Sequence, residues 1–157
     1  MTDLRNLYQD VILDHNETPR NFGRVSDANR EATGDNPLCG DQYDVTVRVE
    51  DGVIEEIAFE GEGCAISKAA ASMMTQHVEG ETIEEVEALI SGFRRMLTGE
   101  PEEGDEDLLG HLRVFESVGS RPERVKCAVL AWHTLDAALS GREEITTEGD
   151  DDPIPEE

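Results

Sequence analysis

The chemistry in this sequence gathers around three cysteines. Cys39 lies in Asn36-Pro37-Leu38-Cys39-Gly40-Asp41, Cys64 follows Gly61-Glu62-Gly63, and Cys127 follows Arg124-Val125-Lys126. In the first motif the glycine permits a bend that directs a thiolate and a carboxylate at one point. In the second, the glycines allow a tight turn into a helix whose positive end favours thiolate over thiol, with Lys68 one turn further on. In the third, Arg124 and Lys126 supply cations near the start of another helix. Three thiolates and Asp41 make a complete four-coordinate set for zinc, or an incomplete thiolate set for an iron–sulfur cluster. Separations of 25 and 63 positions with no Cys-x-x-Cys pair leave a second reading equally open, three independent small cysteines.

Other polar residues read more plainly. His15, His77, His111 and His133 are assigned structural or surface roles, and His133 stands about 120° from Cys127 around one helix, an awkward geometry for a shared ion. Met73 and Met74 read as packing, and Ser67 and Ser72 as hydrogen-bonding or helix-surface residues.

The elements that must position these groups follow from periodicity. Leu4, Leu7, Tyr8, Val11 and Ile12 predict an amphipathic helix ending before Pro19. Residues 21–38 have room for one short edge strand. Tyr43, Val45, Val47 and Val49 alternate with polar residues, Asp51-Gly52 supplies a two-residue turn, and 53–60 returns as an antiparallel partner. An alanine-rich helix is predicted over 64–77, and Thr82 with Glu85 forms a capping box opening a helix to about Leu97. Residues 108–118 are ambiguous. Ser120 with Glu123, and Pro122 in the first turn, open a last helix to Leu139. On that helix Val125, Ala128, Val129, Trp132, Leu135 and Leu139 share an arc of about 140°, so Cys127 is expected on the far side, away from the main core. The fold class is α+β, a small three-stranded antiparallel sheet with helices packed on one face.

Of 157 residues, 37 are acidic and 13 basic, giving a formal net charge of −24. Such a chain has no electrostatic reason to bind nucleic acid or an anionic membrane. No stretch reads as a transmembrane span or signal peptide, and three cysteines suit a reducing cytosol, so a cytoplasmic protein is expected. One domain is expected over 1–140. Residues 141–157 carry eight acids and one arginine and read as an acidic, disordered tail, while the six acids of 100–107 read as a solvated loop. Eleven arginines against two lysines, Lys68 and Lys126, suit a salt-adapted, halophilic cytosol, where a Debye length of about 3 Å at 1 M salt removes self-repulsion. An ordinary acidic protein is the alternative.

The cysteine motifs, together with Ala71-Ser72-Met73-Met74-Thr75, Asp14-His15 and Pro19-Arg20-Asn21, resemble the U-type iron–sulfur cluster assembly proteins, the family of IscU, SufU and the NifU N-terminal domain. The likeness runs from about Leu4 to Leu139. IscU-like members carry a ligand histidine before the third cysteine, where this chain has Lys126, and SufU members have an extra segment like that containing 100–119. Both details favour the SufU branch. Ser120-Arg121-Pro122-Glu123 lacks the Leu-Pro-Pro-Val-Lys element that IscU presents to its Hsp70-type chaperone, which speaks against that partner.

The resemblance implies a zinc ion held by Cys39, Asp41, Cys64 and Cys127, and a sulfur carrier working with a SufS-type cysteine desulfurase rather than a stand-alone catalyst. Cys39 is then the sulfur acceptor, and the product passes to downstream assembly or client proteins. Arg124 and Lys126 compensate the thiolate charge, contact the desulfurase, or are ordinary surface cations. Two alternatives stay open: a scaffold that assembles and transfers a [2Fe–2S] cluster, or binds Fe2+, on the same cysteines, and a desulfurase activator with a purely structural zinc.

Overall fold

The computed structural model describes residues 4–36, 40–100, 102–120, 122–141 and 144–146. Helix α1 (Leu4–Glu17) leads into strands β1 (Arg30–Asn36), β2 (Asp41–Glu50) and β3 (Val53–Glu62). There follow α2 (Ala65–Val78), α3 (Ile83–Thr98), the short α4 (Asp105–Leu109), a 3₁₀ stretch (Gly110–Ser120), α5 (Pro122–Leu139) and a short β4 (Glu144–Thr146). Among the described residues no helix is long and apolar enough to cross a membrane.

The sheet order is β3-β2-β1-β4, and β1, β2 and β3 are antiparallel, as the alternation predicts. Asp51 and Gly52 close the hairpin with positive φ at both positions, the twist that matches the flanking strands. Tyr43, Val45 and Val47 are fully buried on the face covered by helices, where α5 lies on β1 and β2 and α2 lies on β3. The opposite face is largely wet. There Arg24 pairs with Glu31, Asp44 and Glu60, and Arg48 with Asp27, Glu50 and Glu56. Three carboxylates to each guanidinium leave both clusters negative on a chain of formal net charge −24, and salt screens the repulsion spread over that surface. The melting temperature is expected to rise between low and multimolar KCl; a flat profile contradicts the salt-adapted reading.

Helix α5 runs through the centre of the molecule. Every residue from Cys127 to Leu135 is buried, and Trp132 stacks on Phe93 at 4.9 Å between ring centroids. An apolar arc implies one wet side, but sheet, α2, α3 and the 3₁₀ stretch surround this helix, so the expectation that Cys127 avoids the core is overturned: it is 3% exposed. Close approach of α5 to β1 requires Gly34, because a Cβ there would lie 1.8 Å from Thr134 Oγ1, which is itself held to the Leu130 carbonyl at 2.7 Å. Gly34→Ala is therefore expected to cost at least about 1–3 kcal/mol in a urea unfolding titration.

Two segments differ from the sequence reading. Residues 100–107 are not wholly a solvated loop. Asp105 is 4% exposed, accepts from Arg95 Nη2 at 2.7 Å and Nε at 3.0 Å, and accepts the Glu102 N–H at 2.8 Å. The Arg95 guanidinium is the main reason its carboxyl is pushed down to about 2 from 3.8. A carboxylate depressed by folding stabilises above its unfolded pKa, and that contribution fades as the pH falls from 3.8 towards 2. Asp105→Asn should thus lower stability at neutral pH, with the gap to wild type closing in acid; a gap independent of pH contradicts the pairing. The second segment is 141–157, within which Glu144–Thr146 pairs in parallel with Thr33–Asp35. The β-branched Ile145 and Thr146 suit that short strand. Residues 142, 143 and 147–157 lie outside the described residues.

Candidate metal centre

The loop–helix junction after β3 brings the second cysteine to the first motif. Cys64 is the N-cap of α2, its sulfur accepting the Ser67 N–H at 3.4 Å, and its own N–H donates to Asp41 Oδ1 at 2.9 Å. Gly63 makes this approach possible. A Cβ at that position would fall 2.5 Å from Ser67 Oγ and Tyr43 Oη and 2.7 Å from Asp41 Oδ1. Ser67 Oγ also donates to the Cys64 carbonyl and bonds Tyr43 Oη at 2.9 Å, so a buried hydroxyl pair supports the turn from below. From the opposite side α5 delivers Cys127, whose sulfur accepts from Asn36 Nδ2 at 3.7 Å.

The three donor atoms of Asp41, Cys64 and Cys127 lie within 4.8 Å of one another. Asp41 is fully buried, and while Oδ1 takes the Cys64 N–H, Oδ2 has no hydrogen-bond partner among the described residues. A carboxylate oxygen stranded in a low-dielectric interior costs several kcal/mol, roughly 1–3 for a single unsatisfied group and more for a charged one. A divalent cation removes that cost. Cys64, exposed at the surface, is pulled down to about 6 from 9.0, first by the hydrogen bond from Cys127 and then by the Ser67 N–H, against the opposing effects of desolvation and the Asp41 charge. The shift favours the thiolate over the thiol. Burial is the leading cause that raises the Tyr43 hydroxyl well above its usual range, which keeps it a neutral hydrogen-bonding partner for Ser67.

The remaining candidates are placed as follows. Cys39 lies outside the described residues; of the residues flanking 37–39, the Gly40 N–H donates to the Asn36 carbonyl at 2.9 Å. On α5, Lys126 is half-buried and Arg124 exposed, both next to Cys127 in sequence. His15 is buried, with Nδ1 2.6 Å from Ser72 Oγ, and it anchors α1 on α2 rather than joining the thiol cluster. The side chain of His111 is outside the described residues, and His133 is buried on α5.

Beyond geometry, the NifU-like N-terminal domain model matches residues 7–118. The chain belongs to this family. Among relatives of this NifU-like chain, the zinc-dependent sulfurtransferase SufU of Bacillus subtilis (strain 168) is 38% identical over 141 residues, spanning 90% of this chain and 95% of that protein. The iron–sulfur cluster assembly scaffold protein IscU of Thermotoga maritima is 39% identical over 133 residues, spanning 85% and 92%. A crystal structure of a protein described as an iron–sulfur cluster assembly scaffold for the SUF system, from Fervidobacterium islandicum AW-1, superposes with a TM-score of 0.79 at 32% identity, covering 86% of this chain and 98% of that one. The donor set of this NifU-like chain, two thiols and a carboxylate with an orphaned oxygen, fits a zinc ion by charge and by ligand type.

Sequence reasoning missed Asn36, Gly63 and Tyr43 as parts of the site. Asn36 and Gly63 stand inside the cysteine motifs, so proximity was a signal, but their contacts are made only in three dimensions. Tyr43 was legible solely as a core position of β2.

Proposed function

We propose that this protein takes sulfane sulfur from a SufS-type cysteine desulfurase and hands it on for iron–sulfur cluster assembly, in a reducing cytosol, with zinc held by Cys39, Asp41, Cys64 and Cys127. The observation that carries the reading is the buried Asp41 carboxylate, one oxygen unpartnered, between two thiols. The sulfurtransferase activity named for the Bacillus relative supports the same direction.

Bound zinc would keep the thiolates deprotonated and brings no redox chemistry of its own. The work of transfer belongs to the protein's sulfur atoms. The Cys39 thiolate attacks the outer sulfur of the desulfurase persulfide, the S–S bond to the desulfurase cysteine breaks, and that cysteine leaves as a thiolate while Cys39 retains the persulfide. One S–S bond forms as one breaks, so no oxidant is needed. Gly40 takes a positive φ that suits glycine, and Asp41 beside it is held in β2. Arg124 and Lys126 offset the anionic donor set or contact the desulfurase.

The test combines the metal-loaded full chain with its cognate desulfurase and cysteine, followed by mass spectrometric mapping. The expected result is one added sulfur on the peptide containing Cys39. If Cys39→Ala stimulates desulfurase turnover as fully as wild type, the relay is lost and the activator reading replaces it. The scaffold role named for the Thermotoga relative supports a second reading: a coloured cluster formed on anaerobic reconstitution, and passed to an acceptor apoprotein, would favour it.

A further inference from the structure

We infer that Asn36 is a positioning residue of the metal centre, linking the Asp41 strand to the Cys127 helix, with its buried side-chain amide on the Cys127 sulfur. It is the last residue of β1, fully buried, and sits opposite Asp41 across the β1–β2 ladder. Its carbonyl accepts the Gly40 N–H at 2.9 Å, next to Asp41. Its side-chain Nδ2 donates to Cys127 Sγ at 3.7 Å, a length suited to sulfur as acceptor, and Cys127 is itself buried. Pro37 follows, and the residue before a proline favours the extended backbone that a strand end requires.

The consequence concerns how the donor set is tuned. An N–H donated to a thiolate withdraws charge from the sulfur and fixes the direction of its remaining lone pairs, and such outer contacts change metal affinity about 10–100-fold. This inference rests on the metal-centre reading above and goes beyond it by giving a residue outside the donor set control of one sulfur.

Full-length wild type, Asn36→Leu and Asn36→Asp are titrated with Co2+, following the thiolate-to-cobalt charge-transfer band and the affinity, with circular dichroism as the measure of folding. Asn36→Leu removes the donor at similar volume, and its band is expected at lower energy with affinity reduced about 10–100-fold. Asn36→Asp is nearly isosteric but places an acceptor and a negative charge beside the sulfur, so its band should move further the same way. Folded variants with wild-type band and affinity overturn the inference. So does a variant that stays unfolded in excess Co2+, because the role of Asn36 is then structural alone. A variant recovered by Co2+ with a displaced band supports it. If wild type itself shows no thiolate band with Co2+, the metal-centre reading fails instead.

Discussion

Asp41→Asn is expected to change stability in opposite directions with and without metal. The substitution keeps the Oδ1 acceptor for the Cys64 N–H and replaces the orphaned Oδ2 with a neutral donor facing two sulfurs. Without metal it removes a buried, half-satisfied carboxylate, so the apo variant should exceed apo wild type by roughly 1–3 kcal/mol. With zinc the order reverses, because the variant has lost its anionic oxygen ligand. Outer contacts alone are worth about 10–100-fold in metal affinity, and loss of a ligand should exceed about 100-fold. Urea titrations of both proteins, with and without zinc, measure the two differences. A variant less stable than wild type in both states would show that Asp41 is a structural carboxylate and that its unpartnered oxygen has no bearing on metal.

The second large effect comes from the metal itself. A ligand that binds only the folded state stabilises it by about 4 kcal/mol at a thousandfold excess over Kd. For a chain of about 150 residues each kcal/mol corresponds to about 2–4 °C, so stripping zinc with a chelator should lower the melting temperature by about 8–16 °C. Cys127→Ser should remove most of that difference while leaving apo stability within about 1 kcal/mol of apo wild type, since one small buried group replaces another. A chelator effect that survives in Cys127→Ser would place the ion elsewhere.

Local signals in the chain were reliable where the cause is local. The Asp51-Gly52 turn, the Tyr43–Val49 alternation and the Thr82–Glu85 capping box each depend on neighbouring residues, and each forms as read. The cap is complete, with both side chains bonding to the other's backbone. What was not legible depends on distant partners. Asp105 looked like one more acid in a charged loop, and only Arg95 on another helix makes it a buried anchor. Cys127 looked excluded from the core because the apolar arc of α5 assumes one wet side, while the fold wraps that helix on all sides. The parallel pairing of β4 with β1 needed Ile145 and Thr146 to outweigh the acidic composition around them.

The donor set itself was only half readable. Asp41 was visible through the Cys-Gly-Asp turn, and Cys64 through its glycines and helix start. That these two meet Cys127 within 4.8 Å is a product of tertiary packing, with Gly63 leaving the space and Asn36 holding the far sulfur. The motifs hold the residues, and the sheet and α5 supply the convergence.

X-ray absorption at the zinc edge of the metal-loaded, full-length protein tests the central claim most directly. Stoichiometric zinc is expected in a four-coordinate shell of three sulfur atoms and one oxygen, from Cys39, Cys64, Cys127 and Asp41, with Zn–S about 2.3 Å and Zn–O about 2.0–2.2 Å. The shell should lose one sulfur in Cys39→Ser and its oxygen contribution should change in Asp41→Asn. A shell made only of oxygen and nitrogen atoms, or one unaltered by both substitutions, would contradict it.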